Sequence, residues 1–239
     1  MPMLKAEGVK KSFGGLAAVD NVDFDVEKGE IMGLIGPNGA GKTTFFNLIS
    51  GAIPLDSGTI TFNEIKISGR KPHKICRFGI GRTFQTAKNF PGMSVRENVI
   101  MGALFGKRGE SRKQAEQDVE GILDFVGLSE LRDRHVPDLT LAAQKRVEVA
   151  RALATKPTLL MLDETMAGLN PTEVEEAMEL VRKIRDSGIT VIMIEHVMRA
   201  IMNICDRIVV LHHGAKIAAG TPEEISTNSA VVEVYLGHS

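Results

Sequence analysis

Three places in this chain carry residue types whose spacing could do chemistry on a phosphate. The first is Gly36-Pro37-Asn38-Gly39-Ala40-Gly41-Lys42-Thr43-Thr44, which fits G-x-x-x-x-G-K-[ST]. Glycines let the backbone curl until successive N–H groups converge on phosphate oxygens, and a helix that opens from the loop points its positive end at the same place. Lys42 supplies a mobile point charge for β- and γ-phosphates, and the Thr43 hydroxyl can ligate Mg²⁺. The second is Asp163-Glu164, closing the apolar run Leu159 to Leu162. An acidic group near a phosphate loop is needed to hold Mg²⁺, directly or through water, which gives Asp163 its role. Glu164, pointing to the other side of the strand or off its tip, could activate an attacking water as general base; the plain alternative is a surface carboxylate. The third is His196, just past the apolar run Thr190 to Ile194. A lone histidine is more often structural or solvated, but at a strand end it could contact a γ-phosphate.

These residues need elements to hold them. Ile31 to Ile35 reads as a buried strand before the loop, and Phe45 to Ile49 as the helix after it. Upstream, Leu4 to Val26 carries two alternating patterns around Gly14-Gly15, which predict antiparallel strands. Phe13 lies there, placed to stack on a purine, although a core or turn phenylalanine fits the periodicity equally. Short strands are expected at Gly58 to Phe62 and at Gly79 to Phe84, the latter ending on Gln85. From Met93 the pattern turns helical, with Ser94 as N-cap and Glu97 three residues later, and again over Val119 to Val126. Leu139 to Ala154 is a further helical segment. Strand Thr158 to Glu164, helix Pro171 to Arg185, strand Thr190 to Ile194, helix Val197 to Ile204 and strand Arg207 to Leu211 then alternate. That alternation predicts an α/β fold with a mainly parallel sheet and right-handed crossovers, the ligands lying at the carboxyl ends of the strands. We expect one domain over 1–239. Within it, about 1–92 plus 155–239 would form a P-loop core with an antiparallel β subdomain, and about 93–154 a helical subdomain.

Composition narrows the partners. A chain of 239 residues, 43% hydrophobic, can bury a substantial core. Its formal net charge of −1 argues against a nucleic-acid footprint. Cys76 and Cys205 are far apart and lack a C-x-x-C pattern, so both are expected to be reduced. No signal-peptide layout stands at Met1 to Lys5, and no apolar stretch approaches the roughly 18–20 residues that span a bilayer, so a membrane would be met only through a partner.

Taken together, Phe13, Gly36 to Thr44, Gln85, Leu159 to Glu164 and His196 occur in the order and spacing of the aromatic loop, Walker A, Q-loop, Walker B and switch histidine. Over essentially its whole length the chain resembles the ATPase subunits of ABC transporters. Asn89 to Val99, Ala167-Gly168-Leu169-Asn170-Pro171, Ile194-Glu195-His196, Gly220 to Glu224 and Val234 to Gly237 look like the larger ATPase of branched-chain amino acid importers. Related subunits for urea, amides or lipopolysaccharide export share several of these stretches. The resemblance implies ATP and Mg²⁺ as ligands, with Phe13 on adenine, Lys42 and Thr43 on phosphate and metal, and Gln85 touching the metal and coupling to the membrane subunit. It also implies Asp163 supporting Mg²⁺, Glu164 as base and His196 sensing the γ-phosphate. A second ATPase subunit and transmembrane permeases would be the partners, at the cytoplasmic face of the inner membrane.

One motif departs from the family. Where L-S-G-G-Q should stand, the chain has Leu139-Thr140-Leu141-Ala142-Ala143, keeping a hydroxyl at Thr140 but neither glycine nor the glutamine. In the family this segment caps the γ-phosphate of ATP on the opposite subunit with backbone N–H groups. Those donors survive at Ala142 only if the local φ is negative and the added methyl does not collide with phosphate. Two readings remain open: an asymmetric dimer in which this chain makes the weaker cap, and a nucleotide-binding protein with impaired hydrolysis.

Overall fold

The computed structural model describes residues 1–83, 89–106 and 112–236. The reading of Gln85 therefore lies outside the described residues. Two runs of alternating pattern form β1 (Leu4–Phe13) and β2 (Leu16–Val26), and an unbroken apolar run forms β3 (Ile31–Ile35). The phosphate loop follows, then α1 (Lys42–Ile49), β4 (Ser57–Phe62), the two-residue β5 (Ile65–Lys66), α2 (Pro72–Phe78) and β6 (Ile80–Arg82). Three helices come next, α3 (Val95–Phe105), α4 (Arg112–Phe125) and α5 (Leu141–Ala154). The alternating remainder is β7 (Leu159–Asp163), α6 (Pro171–Asp186), β8 (Thr190–Ile194), α7 (Met198–Ile204) and β9 (Arg207–His212). It ends in β10 (Ala215–Gly220), α8 (Pro222–Thr227) and α9 (Ser229–Leu236).

The strands build two sheets: antiparallel β2-β1-β4-β5, and β10-β9-β3-β8-β7-β6, parallel except for the β9–β10 hairpin. The larger sheet is covered on both faces, as unbroken apolar strands require. Side chains alternate between the faces with period two. Met32, Leu34, Leu159, Met161, Ile192 and Ile194 meet α1 and the antiparallel sheet. Ile31, Ile35, Leu160, Leu162, Val191 and Met193 meet the helices of the opposite face, including α3, α5, α6 and α7. Helices α3, α4 and α5 pack on one another. At the start of α3 the expected capping box is present: the Glu97 amide donates to Ser94 Oγ at 3.2 Å and the Ser94 amide to Glu97 Oε2 at 2.8 Å.

Several elements differ from the sequence reading. Helix α2 went unread because it is seven residues long with one buried side chain, Ile75, too short to show a period. Of the strand expected over 79–84, the described residues form Ile80–Arg82, and Phe84 lies outside them. The strand read through Glu164 stops at Asp163, because Glu164 has left-handed backbone, φ 52°.

Candidate nucleotide site

Parallel strands β3, β8 and β7 lie side by side and end together. Leu34 and Asp163 both stand in register with Ile194, so the loop after β3, the Glu195-His196 pair after β8 and Asp163-Glu164 after β7 emerge at one edge. That edge is where open α/β sheets bind ligands.

The loop could be drawn only with glycine at two positions. Gly36 has φ 151°, and a Cβ there would sit 2.1 Å from Leu211 O; Gly41 has φ 101° and its Cβ would sit 2.3 Å from Ala18 O. Backbone contact with the hairpin fixes the loop: Gly214 N donates to Ala40 O at 3.1 Å and Asp20 N to Gly214 O at 2.8 Å. Gly41 is also the N-cap of α1, so the first amides of that helix, which have no intrahelical acceptor, face the loop's mouth. Lys42 is 6% exposed. Its ammonium donates to Gly36 O at 2.7 Å and Pro37 O at 3.0 Å. Burial lowers its pKa, while Glu164 and Asp163 oppose that shift by charge.

An open cleft of about 600 Å³ lies over this loop. Its walls are Asn38 to Thr44 on one side, Phe13 with Leu16 to Ala18 on another, and Glu164, His196 and His213 on the third. Phe13 is half exposed at the rim, with the Lys11 ammonium 5.5 Å from its ring centroid. His196 is exposed and Glu164 only 14% so, and His196 Nε2 stands 3.0 Å from Glu164 Oε1. A carboxylate only accepts, so this pair places the hydrogen on Nε2. Glu164 is anchored by its backbone, its amide donating to Ile194 O at 2.9 Å and its carbonyl accepting from Lys145 Nζ at 2.7 Å.

Asp163 is set deeper, at 1% exposure. Arg82 donates to its Oδ2 at 2.9 Å, and its amide donates to Thr83 Oγ1 at 3.0 Å. Oδ1 is buried and has no hydrogen-bond partner among the described residues. Burial raises its carboxyl pKa and Arg82 pulls it back. Among the described residues no group of three or more His, Cys, Asp or Glu could hold a metal. One vacant carboxylate oxygen and the Thr43 hydroxyl fit a Mg²⁺ ion that takes its other ligands from phosphate and water.

Comparison with known proteins agrees with this architecture. Residues 19–167 match the family described as ABC transporter, and residues 215–239 match the one described as branched-chain amino acid ATP-binding cassette transporter. The chain belongs to the ABC transporter family. Along its entire length the cassette is 40% identical to the high-affinity branched-chain amino acid transport ATP-binding protein LivG of Salmonella typhimurium, covering 99% of that protein. Its structure superposes on a nucleotide-free ATP-binding cassette from an ABC transporter with TM-score 0.91 and 32% identity, each chain fully covered. A dimeric cassette in a post-hydrolysis state bound to ADP and Pi gives TM-score 0.83 and 26% identity, with 92% of this chain and 99% of that one covered.

The cassette's divergent segment keeps its geometry. Thr140, with φ −61°, caps α5 through an Ala143 amide to Oγ1 bond of 3.3 Å, and residues 140–143 are absent from the positive-φ backbone. The backbone part of the condition at Ala142, a φ outside the left-handed region, is met. Thr140 and Ala142 do not line the cleft that holds Lys42 and Glu164. Lys145, one turn along α5, ties this helix to Glu164.

Sequence reading missed four residues here: Arg82, Lys145, Glu195 and His213. Glu195 adjoins His196 yet points the other way, 2% exposed, with Oε1 accepting from the Met166 amide at 2.8 Å and from Thr165 Oγ1 at 3.2 Å. Burial pushes its carboxyl up to about 7; Glu164 adds to the rise, and the Met166 amide, Thr165 hydroxyl and Lys145 ammonium oppose it. With the folded value above the unfolded one, its stabilising share is fullest below the unfolded pKa and is lost as pH climbs through about 7. Glu195→Gln should therefore flatten thermal stability between about pH 5 and pH 8. That corresponds to a gain on the order of 3 kcal/mol at the alkaline end, read by calorimetry.

Proposed function

We propose that this chain is the ATP-hydrolysing subunit of a membrane importer for branched-chain amino acids. The reading rests on full-length similarity to a branched-chain amino acid transport ATP-binding protein, combined with a cleft that gathers Lys42, Glu164 and His196 and with Asp163 buried at the same sheet edge. In it, Gly36 to Thr44 grip the phosphates of ATP and Phe13 stacks on the base. Thr43 and Asp163 hold Mg²⁺, as would Gln85 outside the described residues. Mg²⁺, when bound, neutralises charge that develops between the β- and γ-phosphates. Glu164 takes the proton of the attacking water, and His196, fixed on Glu164, offers its ring toward the γ-phosphate.

Two such subunits would close on two ATP, each lending its 140–143 segment to the other's nucleotide; a cassette relative is dimeric in a post-hydrolysis state bound to ADP and Pi. No helix among the described residues is long and apolar enough to cross a membrane, so attachment at the cytoplasmic face would run through permease subunits. Residues of about 93–154, the α3–α5 block, would be the helical subdomain.

Uptake assays test this reading. A strain lacking the gene should lose leucine uptake and regain it with the wild-type chain but not with Glu164→Gln. Loss of urea or amide uptake instead would move the assignment to the neighbouring group.

The 140–143 segment supports a second reading, a cassette that hydrolyses slowly as a homodimer. Ala142→Gly with Ala143→Gln should then raise homodimer phosphate release by about tenfold, the yield of one recovered charge-assisted hydrogen bond. No change would show that the helical backbone amides already form a full cap.

A further inference from the structure

Arg82 is a charged residue of the buried site that the roles above leave unassigned. It ends β6, and its side chain is 7% exposed. Its two terminal nitrogens reach two other elements. One donates to Asn47 Oδ1 at 2.7 Å and Ser50 Oγ at 2.8 Å, both at the far end of α1; the other donates to Asp163 Oδ2 at 2.9 Å, at the tip of β7. Its guanidinium carbon lies 5.6 Å from the centroid of the Phe46 ring.

Stability alone is a poor account of this arrangement. Desolvating a guanidinium and a carboxylate costs about as much as their attraction returns, and apolar residues of the same volume often do better. What the pair does uniquely is geometric. An α-helix is a stiff rod, and α1 carries Thr43 one turn before Asn47. Fixing Asn47 and Ser50 to the same planar fork that fixes Asp163 sets the distance between Thr43 and Asp163. The fork also occupies Oδ2, leaving Oδ1 as the oxygen with no partner among the described residues. Lysine could not do this, because a single ammonium cannot present two planar faces of donors to two elements at once.

We propose that Arg82 is a positioning residue for the magnesium side of the nucleotide site: one guanidinium clamps α1 to β7 and, by occupying Oδ2, leaves Oδ1 of Asp163 for the metal. This rests on the reading of the site as one for ATP and Mg²⁺.

The test measures ATP affinity of the purified full-length chain by calorimetric titration, first with EDTA and then across graded Mg²⁺, in wild type, Arg82→Lys and Asn47→Ala/Ser50→Ala. The last variant leaves the Arg82–Asp163 pair untouched, so it keeps the test sound if Arg82→Lys fails to fold. Both variants should raise the Mg²⁺ concentration for half-maximal tightening by about tenfold, the scale of lost support behind a metal ligand. Metal-free ATP affinity should stay within about twofold of wild type, because no phosphate contact is removed. The line shape of Mn²⁺ bound with ATP, followed by electron paramagnetic resonance, should broaden in the variants. An unchanged Mg²⁺ requirement would overturn the proposal. So would an equal loss of metal-free affinity and melting temperature, the pattern of a merely structural residue. A wild-type chain whose ATP affinity ignores Mg²⁺ would instead sink the underlying reading of the site.

Discussion

Replacing Glu164 with glutamine is expected to cut steady-state phosphate release by about two to four orders of magnitude, the range for losing a positioned general base. The substitution is close to isosteric. Glutamine can still accept from His196 Nε2, now 3.0 Å from Glu164 Oε1, and the backbone bonds from Glu164 N to Ile194 O and from Lys145 Nζ to Glu164 O do not involve the side chain. What disappears is the ability to take a proton. In the hydrolytic step a water oxygen bonds to the γ-phosphorus, the bond from phosphorus to the ADP oxygen breaks, and the water's proton passes to the carboxylate. An amide cannot receive it. ATP should therefore bind with affinity within a few-fold of wild type, because Lys42 and the loop amides are unaltered, and the loss should fall on kcat rather than KM. Single-turnover measurement of bound ATP distinguishes this from a folding defect: the variant retains stoichiometric ATP without converting it. Equal turnover in the two proteins would remove Glu164 from the mechanism and favour a water activated by phosphate itself.

The parts of this site legible in the sequence are those whose geometry is local. Gly36 to Thr44 encode their own turn, and Asp163 and His196 each sit at the end of an apolar run whose burial on both faces forces a central strand. The parallel sheet followed from strand and helix alternation. Arg82 was illegible for a different reason. Its partners lie 32 to 81 residues away in sequence, and nothing in a three-residue strand marks its arginine as buried. Glu195 shows in the sequence only as a neighbour of His196; alternation at a strand end sends adjacent side chains opposite ways, which buries one and exposes the other. His213 enters the cleft from the β9–β10 hairpin, where a glycine turn is visible in the sequence but its docking on Ala40 and Asp20 is not. At the signature position the sequence posed a conditional question about φ, and residues 140–143, an extended N-cap followed by the first turn of α5, answer that part of it.

Lys42→Ala is expected to act on binding as well as turnover. Its ammonium is already held inside the loop by Gly36 O and Pro37 O, at 2.7 and 3.0 Å, so the charge is in place before any phosphate arrives. A preorganised charge in a site of low dielectric carries far more transition-state stabilisation than one recruited from water, about 3–4 kcal/mol for a single donor. Alanine should thus lower kcat by about 10²–10³ and weaken ATP affinity by at least about tenfold. Fold stability should move little, because losing two hydrogen bonds is offset by releasing a buried ammonium from its desolvation cost. The clearest readout is therefore the difference in melting temperature with and without saturating ATP, which should collapse in Lys42→Ala while the nucleotide-free melting temperature holds. Arginine should not rescue it: the pocket formed by two adjacent carbonyls accepts a compact ammonium, and a planar fork would have to displace the backbone that Gly36 needs at φ 151°. Because burial lowers the pKa of Lys42, ATP affinity should fall with rising pH at a value below the 10.5 of free lysine. Retention of the ATP-induced shift in Lys42→Ala would mean that the loop amides alone hold the phosphates.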